Sequence, residues 1–132
     1  MTVRHASCRC GNLRATATGE PVRISVCHCL ECQQRTGSAF SAQARWPKED
    51  VTITGEATKW SYRGESGGTG IFSFCPTCGA TIAYTIDAMP GLVAIPLGAF
   101  ADPGFPTPRL SVWEERKHPW VAIVGTEVEH FD

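Results

Sequence analysis

The stretch "CHCLEC" at residues 27–32 places Cys27, Cys29 and Cys32 within one short turn of chain. A structural zinc site takes four protein ligands, whereas a catalytic one holds three and leaves a fourth position open. The reading of these three cysteines therefore depends on the others. "CRC" brings Cys8 and Cys10, and "CPTC" brings Cys75 and Cys78, making seven in 132 residues. An odd count argues against a pure disulfide framework. The opening "MTVRHASCRCG" has no apolar signal core, so a cytoplasmic protein is expected. Disulfides are rare in that compartment, and tight cysteine clusters there point to metal.

"CPTCG" reads as a knuckle whose two-residue spacer lets both sulfurs face one ion, with Gly79 free to turn left-handed afterwards. A CxxC pair also occurs as a thioredoxin-type redox motif, but that motif needs a strand–helix–strand setting, and this stretch lies between strands. A knuckle supplies two ligands and needs two more. In a strand, residues two apart share a face, so Cys8 and Cys10 form a second pair. Cys8, Cys10, Cys75 and Cys78 then make a closed four-thiolate zinc site, adding on the order of 10–16 kcal/mol of apparent binding energy to folding. By the same alternation Cys27 and Cys29 share a face, and Cys32 returns from the helical turn that follows. They form the open, catalytic kind of site. The other partition joins Cys27 and Cys29 to the knuckle and leaves Cys8 and Cys10 spare, which strands Cys32. Alternation points His28 away from its neighbours, toward a packing or supporting role. His5, His118 and His130 read as surface or loop residues.

Around these clusters the chain is mainly β. "NLRATATGE" (12–20), "VRISVC" (22–27), "FSAQARW" (40–46), "VTITGE" (51–56), "TKWSYR" (58–63), "IFSF" (71–74), "TIAYTI" (81–86), "LVAIPLG" (92–98) and "RLSVWEE" (109–115) are rich in β-branched and aromatic residues, and several alternate. Loops fall at 64–70, 87–91 and 101–108. The one helical piece is "LECQQRTG" (30–37), closed by Gly37. With no linker or repeat, residues 1–132 read as one domain. A net charge of −1 gives no footprint for nucleic acid, and no apolar run is long enough to span a membrane.

Three thiolates on Zn²⁺ leave a net negative site, which blunts activation of bound water. A soft ligand suits the open position better, and a substrate thiol held as thiolate is the natural one. Three-thiolate sites lose metal or oxidise readily, so partial occupancy is expected. An anionic substrate then needs cations: Arg35 is well placed, and Arg45, Lys59 and Arg63 are further candidates. "RTGSAF" (35–40) offers Arg35, Thr36, Gly37 and Ser38 as substrate contacts, with backbone N–H groups for a carboxylate or oxyanion. Trp46, Trp60, Trp113 and Trp120 default to core packing, with Trp113 or Trp120 able to line a pocket.

The joint pattern "CRCG…VCHCLECQQRTGSAF…FCPTCGATI…WEERKHPW" resembles the glutathione-dependent formaldehyde-activating enzyme family, which includes centromere protein V, from about Cys8 to Trp120. The resemblance implies a β-tent of packed, curved β-sheets braced by zinc. It implies a structural zinc on Cys8, Cys10, Cys75 and Cys78 and a catalytic one on Cys27, Cys29 and Cys32, two per chain. It implies a carbon–sulfur lyase that adds glutathione to formaldehyde, so that a small thiol and a small aldehyde are the expected partners. A non-catalytic, zinc-braced adaptor module is the alternative. Methionine sulfoxide reduction on a related scaffold lacks an evident unligated cysteine.

Overall fold

The structure is a computed structural model, and it describes residues 1–64 and 67–132. The elements run β1 (Val3–Ser7), β2 (Arg14–Thr18), β3 (Arg23–Cys27), α1 (Leu30–Thr36), β4 (Ser41–Pro47), β5 (Val51–Thr54), β6 (Thr58–Arg63), β7 (Thr69–Phe74), β8 (Thr81–Ile86), β9 (Leu92–Pro96), β10 (Leu110–Val112) and β11 (Glu129–His130). The chain is mainly β, as its alternating runs imply. Residues 65 and 66 of the loop expected at 64–70 lie outside the described residues, and β7 already begins at Thr69.

Two sheets form. A three-stranded sheet has the order β1-β2-β5, and an eight-stranded one the order β11-β10-β3-β4-β9-β8-β7-β6. Pairing is antiparallel except that β10 runs parallel to both β3 and β11. The small sheet turns Ala6, Ala15 and Ala17 inward, all fully buried. Such small side chains let the sheets approach closely. The large sheet answers with Ile24, Ala44, Trp46, Ile82 and Ile95, so that the core lies between the two. Trp46 is fully buried, and its indole N–H donates to the Gly19 carbonyl at 2.9 Å, satisfying its one polar atom. Phe100 and Phe105 pack on it with ring centroids 5.7 and 6.5 Å away.

Three strand expectations end early. The run at 92–98 leaves the ladder after Pro96, which has no N–H to donate, and a 3₁₀ turn over Leu97–Phe100 carries Phe100 onto Trp46. The run at 109–115 stops at Val112 because Trp113 takes a left-handed conformation (φ 58°, ψ 40°) and opens another 3₁₀ turn. The strand expected around Cys8 and Cys10 stops at Ser7. Among the described residues, no helix is long and apolar enough to cross a membrane.

Candidate active site

The seven cysteines fall into two groups. The Sγ atoms of Cys8, Cys10, Cys75 and Cys78 lie within 4.8 Å of one another, as do those of Cys27, Cys29 and Cys32. These are the two sets that ligand spacing indicated, and the alternative partition is not the one the fold brings together.

The route by which the sulfurs meet differs from strand alternation. Cys8 follows β1, and the chain then reverses: Cys8 N–H donates to the Leu13 carbonyl at 2.8 Å and Gly11 N–H to the Cys8 carbonyl at 3.2 Å. Gly11 sits at φ 89°, where a side chain is disfavoured. Cys8 and Cys10 are thus held by a turn, not by a shared strand face. On the other side, Gly79 N–H closes onto the Cys75 carbonyl at 2.8 Å, and Gly79 itself is left-handed at φ 81°. Backbone amides also point at sulfur: Leu13 N–H at Cys8 Sγ (3.2 Å), and Thr77 and Cys78 N–H at Cys75 Sγ (3.4 and 3.5 Å). Cys8–Cys10 and Cys10–Cys75 sulfur separations are 3.7 and 3.6 Å. A tetrahedral ion with metal–sulfur bonds of about 2.3 Å separates its sulfurs by about 3.8 Å. The donor set and spacing therefore fit zinc. The electrostatics agree. The amides of Ala80 and Cys10 draw the Cys78 thiol down to about 6. Cys10 is pushed up to about 11: the Asn12 amide pulls it down, but burial and the neighbouring thiols outweigh that. Four thiolates so close need a cation to ionise together.

The second group is built differently. Cys27 ends β3, and Cys29 is the N-cap of α1, its Sγ accepting the Cys32 N–H at 3.3 Å. Cys32 lies in the first helical turn, as expected, but Cys27 and Cys29 do not share a strand. The strand stops after Cys27 because Cys29 caps a helix. Hydrogen bonds from the Cys27 and Cys29 thiols, the Ser41 hydroxyl nearby and the Arg35 charge hold the Cys32 thiol well below its usual range, against burial. The Cys29 and Cys32 thiols raise Cys27 far above it. Charge collects on Cys32. These three sulfurs also fit a soft divalent ion, and no fourth Cys, His, Asp or Glu joins them among the described residues.

His28, between two of these cysteines, is fully buried. Its Nε2 lies 2.9 Å from Ser111 Oγ, and its ring tilts against Phe40 at 5.8 Å. Burial holds its pKa below the usual value. It packs the cysteine turn against β10. Gln33 fixes the other end of that turn. Its amide donates to the carbonyls of His28 (2.8 Å) and Arg116 (3.0 Å), and its Oε1 lies 2.8 Å from His118 Nε2. His118 thus supports the site although its spacing gave no hint of it. His5 and His130 bond Thr16 and Glu114 instead.

Arg35 lies over the rings of Phe72 and Tyr84, with Cζ 4.7 and 4.9 Å from their centroids. Tyr84 donates to Gln43 Oε1 at 2.9 Å, and Gln43 Nε2 donates to Ser25 Oγ at 2.9 Å, so a buried polar file backs the guanidinium. Arg45 is buried beside it, its pKa lowered by that burial. Gly37 closes α1 at φ 66°, its N–H donating to the Gln33 carbonyl (2.8 Å). Ser38 N–H donates to Thr36 Oγ1 (3.1 Å), and Thr36 Oγ1 donates to the Cys32 carbonyl (2.7 Å). Both amides of interest are thus engaged in the helix cap. Lys59 and Arg63 are exposed on β6 and are not among the residues lining either cavity.

Two cavities flank the three-cysteine group, the first lined by Cys29 itself and the second by none of the three but by Arg35 and Ser41, which act on Cys32. One, of about 320 Å³, opens beside Cys29 and is walled by Leu30, Glu31, Tyr62, Ile86, Asp87 and Trp113, with Arg116 at its edge. The other, of about 490 Å³, runs from Arg35, Ser38 and Ser41 past Gln43 and Tyr84 to Gly79, beside the four-cysteine group. Ser41 is buried there, its hydroxyl beside the Cys32 thiol. Glu31, Tyr62, Tyr84, Gln43 and Ser41 were not singled out from sequence. The alternation of Gln43 and Arg45 with apolar neighbours in "SAQARW" is the one signal that could have marked a polar file.

Residues 3–116 match the family described as glutathione-dependent formaldehyde-activating enzyme. A crystal structure of a Rhodobacter sphaeroides protein, a Northeast Structural Genomics target, superposes with a TM-score of 0.53 at 20% identity. The match covers 72% of this chain and 85% of that one, and it speaks for the fold alone. A search of curated proteins returned no match.

Proposed function

Because the chain belongs to the glutathione-dependent formaldehyde-activating enzyme family, we propose that it is a zinc-dependent carbon–sulfur lyase joining a thiol such as glutathione to a small aldehyde. The observation that carries this reading is the three-sulfur group of Cys27, Cys29 and Cys32, lacking a fourth protein donor among the described residues and flanked by two cavities. Cys8, Cys10, Cys75 and Cys78 would hold a structural zinc. Zinc on the other three cysteines would supply a position at which a substrate sulfur is held as thiolate at neutral pH.

The chain's own residues would do the rest. Arg35, already drawing charge toward Cys32, would attract an anionic thiol and face the developing oxyanion. Its stacking on Phe72 and Tyr84 fixes the guanidinium plane without consuming its N–H donors. Ser41 Oγ, buried in the same cavity beside Cys32, would donate to the substrate oxygen. Thr36, Gly37 and Ser38 shape the wall, and the cap bonds of Gly37 and Ser38 hold Arg35 at a fixed helical end. Residues 1–132 would act as one domain in the reducing cytoplasm, where thiolates stay available to metal.

The test is calorimetric titration of glutathione into zinc-loaded protein, with Cys29→Ser as control. Binding that disappears in the variant supports the reading. Equal binding by both proteins would place the thiol elsewhere and overturn it.

A further inference from the structure

The two cavities beside the three-cysteine group differ in charge and polarity. The larger one has Arg35 and several hydroxyls and amides on its wall, and no carboxylate among the described residues. The smaller one has, among the described residues, two carboxylates, Glu31 and Asp87, against Arg116, and its remaining wall is largely Leu30, Tyr62, Ile86 and Trp113. Glutathione carries two carboxylates and one ammonium, so the larger cavity suits it and the smaller one repels it. The smaller cavity is then left for the other reactant. We propose that it holds the hydrocarbon body of the aldehyde, so that the electrophile is an apolar or aromatic aldehyde and not a one-carbon one. This rests on the carbon–sulfur reading above and deepens it.

Three observations converge. At about 320 Å³ the cavity lies in the range that encloses a small organic ligand, whereas formaldehyde would leave most of it to water. Leu30 and Trp113, at its mouth, are 56% and 50% exposed, an apolar surface that a ligand would cover. Trp113 holds a left-handed backbone at φ 58°, a strained conformation for a bulky residue, and that conformation places it at the cavity. The carboxylates are tied back by their own chain. Glu31 Oε2 accepts from the Tyr62 hydroxyl at 3.3 Å, and Asp87 Oδ2 accepts from Thr69 N–H at 2.9 Å. They line the site and exclude anions.

The reaction is an addition without redox change. The S–H bond of the thiol breaks and a C–S bond forms to the carbonyl carbon. The carbonyl π pair moves to oxygen, which takes the proton and becomes the hydroxyl of the hemithioacetal.

The experiment follows hemithioacetal formation by stopped-flow absorbance with zinc-loaded protein, glutathione, and either formaldehyde or phenylacetaldehyde. Acceleration over the spontaneous rate is compared for the two. Burial of the phenyl group is expected to favour phenylacetaldehyde about tenfold or more in kcat/KM. Trp113→Gly, which relieves the backbone strain, should fold normally and lose most of that preference. Calorimetry with 2-phenylethanol, an unreactive stand-in, should show binding to the parent protein that weakens in Trp113→Gly. Formaldehyde accelerated as well as phenylacetaldehyde, with no 2-phenylethanol binding, would sink the cavity assignment and leave the carbon–sulfur reading standing. Acceleration of neither aldehyde would sink both.

Discussion

The two cysteine groups solve the same local problem by different means. One brings its sulfurs together through turns closed by the left-handed glycines Gly11 and Gly79, and the other through the helix N-cap at Cys29, with left-handed Gly37 ending α1 beyond the ligands. They differ in reach. Cys10 and Cys75 meet across 65 positions of sequence, and the four-cysteine group ties the turn between β1 and β2 of the small sheet to the turn between β7 and β8 of the large one. The three-cysteine group is local, contained in residues 27–32. A metal on the first closes a long loop and fastens the sheets, whereas one on the second constrains little beyond a helix start. The size of the donor set follows the same division: the linking group has four sulfurs, and the local one has three among the described residues.

The sharpest way to break this comparison is to remove one cysteine from each side. Cys75→Ser should abolish folding. Its sulfur is fully buried, and the apparent binding energy of a structural zinc, on the order of 10–16 kcal/mol, matches or exceeds the whole stability of a typical domain. Cys29→Ser should lose the zinc of its own cluster, keep that of the other and retain the parent's β-rich circular dichroism. Zinc analysis and thermal melting of the two variants decide the matter, and equal melting temperatures would erase the proposed division of labour.

Acid should separate the groups more gently. Thiolate ligands must be deprotonated, so protons compete with metal as pH falls and zinc leaves both. The three-thiolate group, with one fewer donor, should release its zinc at the higher pH, in a first step that leaves the fold intact. The second step should coincide with unfolding. A chromophoric zinc chelator read alongside circular dichroism measures both. Release in one step, together with unfolding, would mean that the two sites are not independent.

How much of this could be seen beforehand depended on the range of the forces involved. Strands such as "TKWSYR" and "TIAYTI" announce themselves because β-branched and aromatic residues recur with a period of two, and the structure places β6 and β8 on those residues. The end of α1 at Gly37 is equally local, since only a left-handed residue closes that helix. Metal-ligand grouping was legible because coordination imposes short, countable spacings. The assumed strand geometry of Cys8–Cys10 and Cys27–Cys29 was not. Spacing tells which sulfurs can meet, while the turn at Gly11 and the cap at Cys29 decide how. The cavity beside Cys29 was invisible for another reason. Leu30, Tyr62, Ile86 and Trp113 come together only when α1, β6, β8 and the residue after β10 are assembled. Only Trp113 carried a hint.

The finest test concerns the two glycines that finish the turns. Gly79 and Gly37 sit at φ 81° and 66°, and an added Cβ at either would meet nothing within 4 Å. Replacement by alanine therefore costs only the left-handed backbone preference, about 1 kcal/mol at each site. Global stability should fall by nearly the same small amount in both variants. Their metal chemistry should not. Gly79 N–H closes the knuckle onto the Cys75 carbonyl, so Gly79→Ala should speed zinc loss from the four-cysteine group. Gly37 lies beyond the ligands, at the end of α1 that carries Arg35, so Gly37→Ala should leave zinc retention unchanged and weaken glutathione binding. Equal denaturation midpoints with opposite changes in zinc release and thiol affinity would show that two turns of the same conformation serve different ends. Parallel changes in both readouts would show that the turns act only through overall stability.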